Sequence, residues 1–300
     1  MNRIANAIAL LGSLAMVATA AALDLDDLRK ALEKPRGQEQ GAAPSDAPAG
    51  SADKKRNKPD LGSLLSVVRE ISPEEEAEIG RQIAGNLLGA APLVPDASLQ
   101  GYVNRVGRWV ASQSRRPDLK WTFGVIDSAD VNAFAAPGGY VFLTKGLYAR
   151  LKDEAQLAGV LAHEIGHVQQ KHHLKVLQKQ QLMSLGSEAL SKQIKGEKTI
   201  QRLIGSGAEI MARGLDKNAE FEADRIGVVL AGRAGYDPFG LPAVLQDLTT
   251  IAKDSGAVAL LFKTHPAPEE RLTALSEAIG DRFDSLTGGK TVAARLERLR

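Results

Sequence analysis

Leu157-Ala158-Gly159-Val160-Leu161-Ala162-His163-Glu164-Ile165-Gly166-His167-Val168 is the stretch on which the reading of this chain turns. Leu157, Val160, Leu161, Ile165 and Val168 recur at three- and four-residue spacing, the period of a helix with an apolar face. At 3.6 residues per turn, His163 and His167 lie about 40° from alignment, so both imidazoles project from one face. H-E-x-x-H on such a helix lets two nitrogens chelate one zinc ion, with Glu164 beside the metal to handle its water. One Zn2+ per chain is the expected cofactor. The chain has five histidines, so the pattern does not arise from histidine abundance.

A zinc site of this kind needs a third protein ligand, and the absence of cysteine restricts it to His, Asp or Glu. Two candidates stand in the sequence. His173 lies six residues after His167, as in metzincins, but that pattern turns the chain back with a glycine where Gln170 stands here. On a continuing helix His173 would lie about 120° from His167 and face away from the metal. His172 reads as a surface residue or as one supporting a ligand. The better candidate is Asn218-Ala219-Glu220-Phe221-Glu222-Ala223-Asp224. Glu220 and Asp224 share a helix face at i,i+4 spacing, while Glu222 points elsewhere. One carboxylate can bind zinc, and the other can accept the free ring N–H of a zinc histidine.

Outward from these motifs, Ser72-Pro73-Glu74-Glu75 starts a helix with a capping box and a first-turn proline. Asp96 opens a second helix. Strands are expected at 121–126, 131–134 and 140–144, with Pro137-Gly138-Gly139 as a turn between the last two. One helix is expected over 152–179, then helices at 200–213, 217–234, 238–253 and 268–279, and a basic amphipathic helix at 291–300. The fold class is therefore α+β, mostly helical, with a small sheet beside the active-site helix.

The N-terminus fits an export signal over residues 1–22: Arg3, an apolar run at 4–17, then Ala18-Thr19-Ala20 and Ala20-Ala21-Ala22 as small-x-small cleavage patterns. The alternative is an uncleaved N-terminal membrane anchor. Residues 23–63 read as a short amphipathic piece and a Pro/Gly/Ala/Lys-rich disordered linker, leaving 64–300 as one folded domain. A net charge of +2 and 4% aromatic residues give no footprint for nucleic acid. With no cysteine there is no disulfide, thiolate metal site or cysteine nucleophile. The oligomeric state is not indicated.

From Val131 through Glu270 the chain resembles zinc metallopeptidases of the Ste24/HtpX type, in their periplasmic branch. The resemblance rests on Val131-Asn132-Ala133-Phe134 with Pro137-Gly138-Gly139, on Gly146-Leu147, on His163-Glu164-x-x-His167, on Glu220-Phe221-Glu222-Ala223-Asp224, and on Thr264-His265-Pro266 with Glu269-Glu270-Arg271-Leu272. It implies a gluzincin-like fold in which Glu220 is the third zinc ligand and Asp224 supports a ligand histidine. It also implies that Asn132, Ala133, Phe134 and Ala135 belong to an edge strand that binds extended substrate through its main chain. Many such relatives carry several membrane helices, and none is expected here after the signal. His265, the one histidine away from the active helix and its tail, is expected to enter the site as an oxyanion donor or as a latch ligand. The expected function is a periplasmic zinc-dependent endopeptidase acting on unfolded or misassembled envelope proteins, with Glu164 activating the attacking water. The rival expectations are a chaperone or assembly factor with minor protease activity, and a metzincin-like secreted protease that would use His173.

Overall fold

The computed structural model describes residues 70–184, 214–251, 256–265, 267–280 and 288–296. The expected signal, the linker, the helix at 200–213 and most of the Gln-rich stretch after 178 lie outside them.

The first helix, α1 (Pro73–Ala90), begins at the expected capping box: Ser72 Oγ accepts from the Glu75 amide at 3.2 Å, and Glu75 accepts from the Ser72 amide at 3.0 Å. Two orphan N–H groups are satisfied reciprocally, and Pro73 has none to lose. Helix α2 (Ala97–Ala111) is capped by Asp96, which accepts from Ser98 and Leu99 at 3.0 and 3.1 Å. Strands β1 (Thr122–Ile126), β2 (Ala133–Ala136) and β3 (Tyr140–Thr144) follow. The sheet order is β1-β3-β2, with β1 parallel and β2 antiparallel to β3, so β2 is an edge strand. Between β2 and β3 the chain makes a tight turn at Pro137–Gly139, where Gly138 has φ 76° and Gly139 φ 97°. Those angles favour glycine, and a Cβ on Gly138 would sit 2.8 Å from the Ala77 Cα.

A short helix α3 (Lys145–Tyr148) leads to α4 (Glu154–Gln169), which carries the H-E-x-x-H. Every residue of α4 from Glu154 to Val168 is buried, so the helix runs through the core rather than along it. Then come α5 (His172–Ser184), α6 (Lys217–Arg233), α7 (Gly240–Thr249), α8 (Ala259–Thr264) and α9 (Pro268–Ile279). Helix α6 lies close against α4. A Cβ on Gly227 would come within 3.0 Å of the His163 amide nitrogen, so glycine permits the approach that carries Glu220 and Asp224 to the histidines.

Two buried carboxylates fasten α4 at its ends. At the first turn, Glu154 accepts from the hydroxyls of Tyr102 (2.8 Å) and Tyr236 (2.9 Å) and from the Arg295 guanidinium (2.5 and 3.2 Å). Near the other end, Glu76 accepts a bidentate pair from Arg116 (2.7 and 3.0 Å) and the Gly138 amide (3.2 Å). Arg116 also donates to the Val168 carbonyl at 3.1 Å. The edge-strand turn and the end of α4 are thereby tied to one arginine.

Three local expectations need correction. The single helix expected over 152–179 is broken: Gln170 caps α4, Lys171 has φ 57°, and α5 restarts at His172. The strand expected at 131–134 is formed two residues later, because the Asn132 amide donates to the Thr144 hydroxyl at 3.0 Å and so does not complete the ladder with the Thr144 carbonyl. The described part of 291–300 is only a 3-10 turn, Ala293–Arg295, since Arg295 is drawn onto Glu154 and the Ala155 amide donates to the Thr291 carbonyl. Among the described residues, no helix is long and apolar enough to cross a membrane.

Candidate metal centre

Helices α4 and α6 and the end of α8 converge on four side chains. His163 Nε2 and His167 Nε2 face each other at 3.0 Å. Glu220 presents Oε2 to His163 Nε2 and Oε1 to His167 Nε2, each at 3.6 Å. His265, the residue that caps α8, sets Nδ1 2.8 Å from Glu220 Oε2. One ligand atom from each of the four lies within 4.8 Å of the others, so His163, His167, Glu220 and His265 could together hold one metal ion.

The fit to zinc can be tested on this chain's own geometry. Zinc–nitrogen distances near 2.0–2.1 Å in a tetrahedron require ligand atoms roughly 3.3 Å apart, and the observed 3.0 and 3.6 Å bracket that value. Glu220 Oε1 is buried and has no hydrogen-bond donor among the described residues. A buried carboxylate oxygen without a donor is costly unless a cation completes it. Imidazoles and one carboxylate, with no thiolate, are a donor set that zinc accepts. The residues fit the ion.

A second layer holds these donors. Asp224 Oδ1 accepts from His163 Nδ1 at 2.8 Å, which leaves Nε2 of His163 to face the other ligands. Asp224 is held in turn by Arg271, whose Nε and Nη2 donate to its two oxygens at 2.8 and 2.5 Å. Burial alone would raise the Asp224 carboxyl, but the Arg271 and His163 charges and hydrogen bonds outweigh it and the net displacement is strongly downward. Glu220 behaves similarly: burial opposes ionisation, yet the charge and hydrogen bond of His265, with His163 and Arg271, hold it at about 2. It is a ready anion. Burial depresses His167 well below the usual imidazole range, and the nearby histidines add to this, so it stays neutral with a lone pair to offer. Burial pushes Glu164 up, against the opposing charges of His163 and His265. A carboxyl displaced in that direction is suited to carrying a proton temporarily.

Of the residues singled out by sequence, the structure brings His163, His167, Glu220 and His265 together and sets Asp224 behind His163. Glu164 is buried beside His163 on α4. Asn132, Ala133, Phe134 and Ala135 are also buried, with Phe134 packed against Ala84, Ile126 and Phe142. Asn132 accepts from the Thr264 hydroxyl at 3.3 Å, tying the start of β2 to the loop that carries His265, while its Nδ2 is buried without an acceptor among the described residues. His173 needs a corrected reason. The break at Lys171 swings it back toward the site, its ring 5.6 Å from that of His167, yet it is not among the four converging donors.

One support was not anticipated, and of the two alternatives open for His172 the structure takes the one in which it supports a ligand. The sequence motifs assign no role to Arg271. Its signal was available, because Arg271, Leu275 and Ile279 are spaced i, i+4, i+8 and all three are buried, which puts a charge in an apolar stripe. His172, which touches His167, depends on a backbone turn that no local pattern announces.

Residues 97–279 match the family described as Peptidase family M48. The chain is 34% identical over 230 residues to the beta-barrel assembly-enhancing protease of Escherichia coli (strain K12), covering 74% of this chain and 47% of that protein. It is 31% identical over 224 residues to the protein of the same name from Yersinia pestis, covering 72% and 46%. To the mitochondrial metalloendopeptidase OMA1 of Schizosaccharomyces pombe it is 30% identical over 178 residues, covering 59% and 52%. The chain spans about half the length of the curated relatives it matches.

Proposed function

The chain belongs to Peptidase family M48, and from that premise we propose that it is a zinc metalloendopeptidase that cuts unfolded or misassembled proteins of the cell envelope. The observation that carries the reading is the buried Glu220 Oε1, left without a donor among the described residues where it faces Nε2 of the second histidine of a H-E-x-x-H. His163, His167 and Glu220 would hold the ion. Zinc, when bound, supplies a Lewis acid that brings the pKa of water toward neutrality and stabilises negative charge on a carbonyl oxygen.

Glu164 takes the proton of the attacking water and returns it to the leaving amine. Its upward-displaced carboxyl favours holding that proton between the two steps. Asp224, clamped by Arg271, keeps His163 in the tautomer that offers Nε2. The edge strand β2 has one main-chain side that pairs with no other strand among the described residues, and an extended segment would add there, since the side chains on both of its faces are spent on the core. Recognition through backbone reads little sequence, which suits an enzyme for unfolded chains. The relatives named for enhancing β-barrel assembly support outer-membrane proteins as the substrate class. The export-signal reading of residues 1–22 favours the periplasm as the place of that work.

His265 favours a second element of this reading. Its place among the converging donors suits a latch, which would complete the ligand set and keep the enzyme quiet until substrate arrives, better than an oxyanion donor. A quiet protease with an intact groove is also what a chaperone or assembly factor would need. The test is cleavage of an unfolded β-barrel protein by wild type, Glu164→Gln and His265→Ala, with zinc measured on each. The peptidase reading expects Glu164→Gln to hold zinc and cut at least 100-fold more slowly, and the latch expects His265→Ala to be faster than wild type. If all three hold zinc and none cuts, the assembly-factor reading replaces it.

A further inference from the structure

The two histidines of the H-E-x-x-H are supported differently. His163 leans on a carboxylate, whereas His167 Nδ1 meets another imidazole, His172 Nδ1, at 2.9 Å. On its far side, His172 Nε2 lies 3.2 Å from Glu222 Oε2, and Gln170 Nε2 donates to the other Glu222 oxygen. We propose that Glu222, His172 and His167 form a hydrogen-bonded chain in which His172 is the positioning residue that fixes the tautomer and ring orientation of His167.

The inference rests on the reading of His167 as a metal ligand, and proton counting then determines the rest. A neutral imidazole has one donor and one acceptor nitrogen. If Nε2 of His167 offers its lone pair to the metal, its proton is on Nδ1, and the 2.9 Å contact makes His172 Nδ1 the acceptor. His172 must then carry its proton on Nε2, where the Glu222 carboxylate accepts it. Every nitrogen has a partner and no proton is shared by two donors. With the proton of His167 on Nδ1, any other assignment of His172 puts a proton on its Nδ1 as well and sets two N–H groups against each other.

The backbone supplies an independent observation. On an unbroken helix, His172 would stand about 140° around the axis from His167 and could not reach it. Lys171 adopts φ 57°, a conformation that non-glycine residues rarely take, and α5 restarts so that His172 folds back over the end of α4. Lys171 Nζ reaches Glu76 at 3.5 Å, which anchors the turn. His172 is buried by this arrangement, whereas Glu222 remains partly in water.

Long-range proton–nitrogen NMR of the ring nitrogens in the zinc-loaded full chain tests the assignment without any substitution. The expected pattern is a protonated Nδ1 on His167 and a protonated Nε2 on His172. A proton on His172 Nδ1 would overturn the proposal. If zinc addition leaves the Nε2 resonances of His163 and His167 unmoved, the metal site itself fails and this inference falls with it, a result distinct from a wrong tautomer at a loaded site.

Variants then read the consequence. His172→Ala should weaken zinc affinity by about 10–100-fold and alter the absorption spectrum of the cobalt-substituted protein. His172→Asn keeps an acceptor near the position of Nδ1 and should recover most of that affinity, and Glu222→Gln should cost only a few-fold. A folded His172→Ala with wild-type affinity and an unchanged cobalt spectrum would sink the idea. Should His172→Ala not fold, the tautomer measurement and the Asn variant decide alone.

Discussion

The two ends of α4 each bury a carboxylate, and they are built to opposite rules. At the N-terminal end, Glu154 is surrounded by donors: two tyrosine hydroxyls and both arms of the Arg295 guanidinium converge on it. Toward the C-terminal end, Glu220 faces imidazoles, and one of its oxygens has no donor among the described residues. Both carboxylates are fully buried. The first is complete as a piece of protein, so it can only hold the fold together. The second is complete only with a cation, so the fold must already be rigid around it. A buried acid that the protein satisfies is a clamp, and one that it leaves short is a site.

The largest effect that tests this contrast is metal removal. A ligand present at a thousandfold excess over its dissociation constant stabilises the folded state by about 4 kcal/mol. Stripping zinc with a chelator should therefore lower the melting temperature of wild type by a large and reversible amount. Glu220→Gln should already melt near the metal-free value and respond little to chelator. If chelation leaves the wild-type melting temperature unchanged, the unsatisfied oxygen is not a metal ligand and the comparison is broken at its C-terminal end.

Glu154→Ala probes the other end. It leaves two buried hydroxyls without their acceptor, at roughly 1–3 kcal/mol each, while Arg295 is exposed enough to turn to water. We expect a loss of about 3 kcal/mol in urea unfolding, with zinc affinity per folded molecule unchanged. A variant that keeps its stability but loses zinc would reverse the roles assigned to the two carboxylates.

The pH limits should also separate by end. Burial and the Glu154 hydrogen bonds push the hydroxyls of Tyr102 and Tyr236 well above their usual range near 10. A group with a raised folded pKa contributes stability that is complete below its unfolded value and is lost as pH rises through and beyond it. Stability should fall by about 1–2 kcal/mol between pH 10 and 11, and Glu154→Ala should make that slope shallower, leaving the part due to burial. Near the C-terminal end, burial alone would raise Glu76, but the Arg116 hydrogen bonds and charge outweigh it and displace the carboxyl downward. Its contribution is present above about 4.5 and is lost as pH falls toward the lower folded value. Urea titrations at pH 3, 7 and 11 would show whether each limit answers to its own end.

What was legible in the sequence follows the same division. The H-E-x-x-H, the Glu220/Asp224 spacing, the capping box at Ser72 and the glycine turn after β2 are local patterns, and each is where periodicity and residue chemistry place it. The features that were missed are decided by distant partners. Leu174 and Leu177 keep an apolar rhythm past His167, so nothing local predicts a break at Lys171; Glu76 and His167 hold it from elsewhere in the fold. Residues 291–300 have the charge and leucine spacing of a helix, yet Arg295 is taken by Glu154 and Lys290 bridges to Tyr236. Arg271 needed only its place in the apolar stripe of α9 to be noticed.

The smallest effect sharpens the contrast by removing distance as an explanation. Lys152 and Asp247 form an ion pair at 2.7 Å near the Glu154 end of α4, as close as the contacts within the buried clamp, but their side chains are 65% and 40% exposed. In water each charge is already solvated, and fixing two flexible side chains costs entropy, so exposed pairs contribute about 0–1 kcal/mol. Lys152→Ala should therefore change stability by less than about 0.5 kcal/mol, and that change should shrink further in 1 M salt, where screening acts within about 3 Å. Glu154→Ala, at the same end of the helix and with contacts of similar length, should lose several times more and respond little to salt. If the Lys152 variant instead lost as much as the Glu154 variant, proximity and not burial would set the strength of these contacts. A donorless oxygen inside the fold would then no longer mark a metal site.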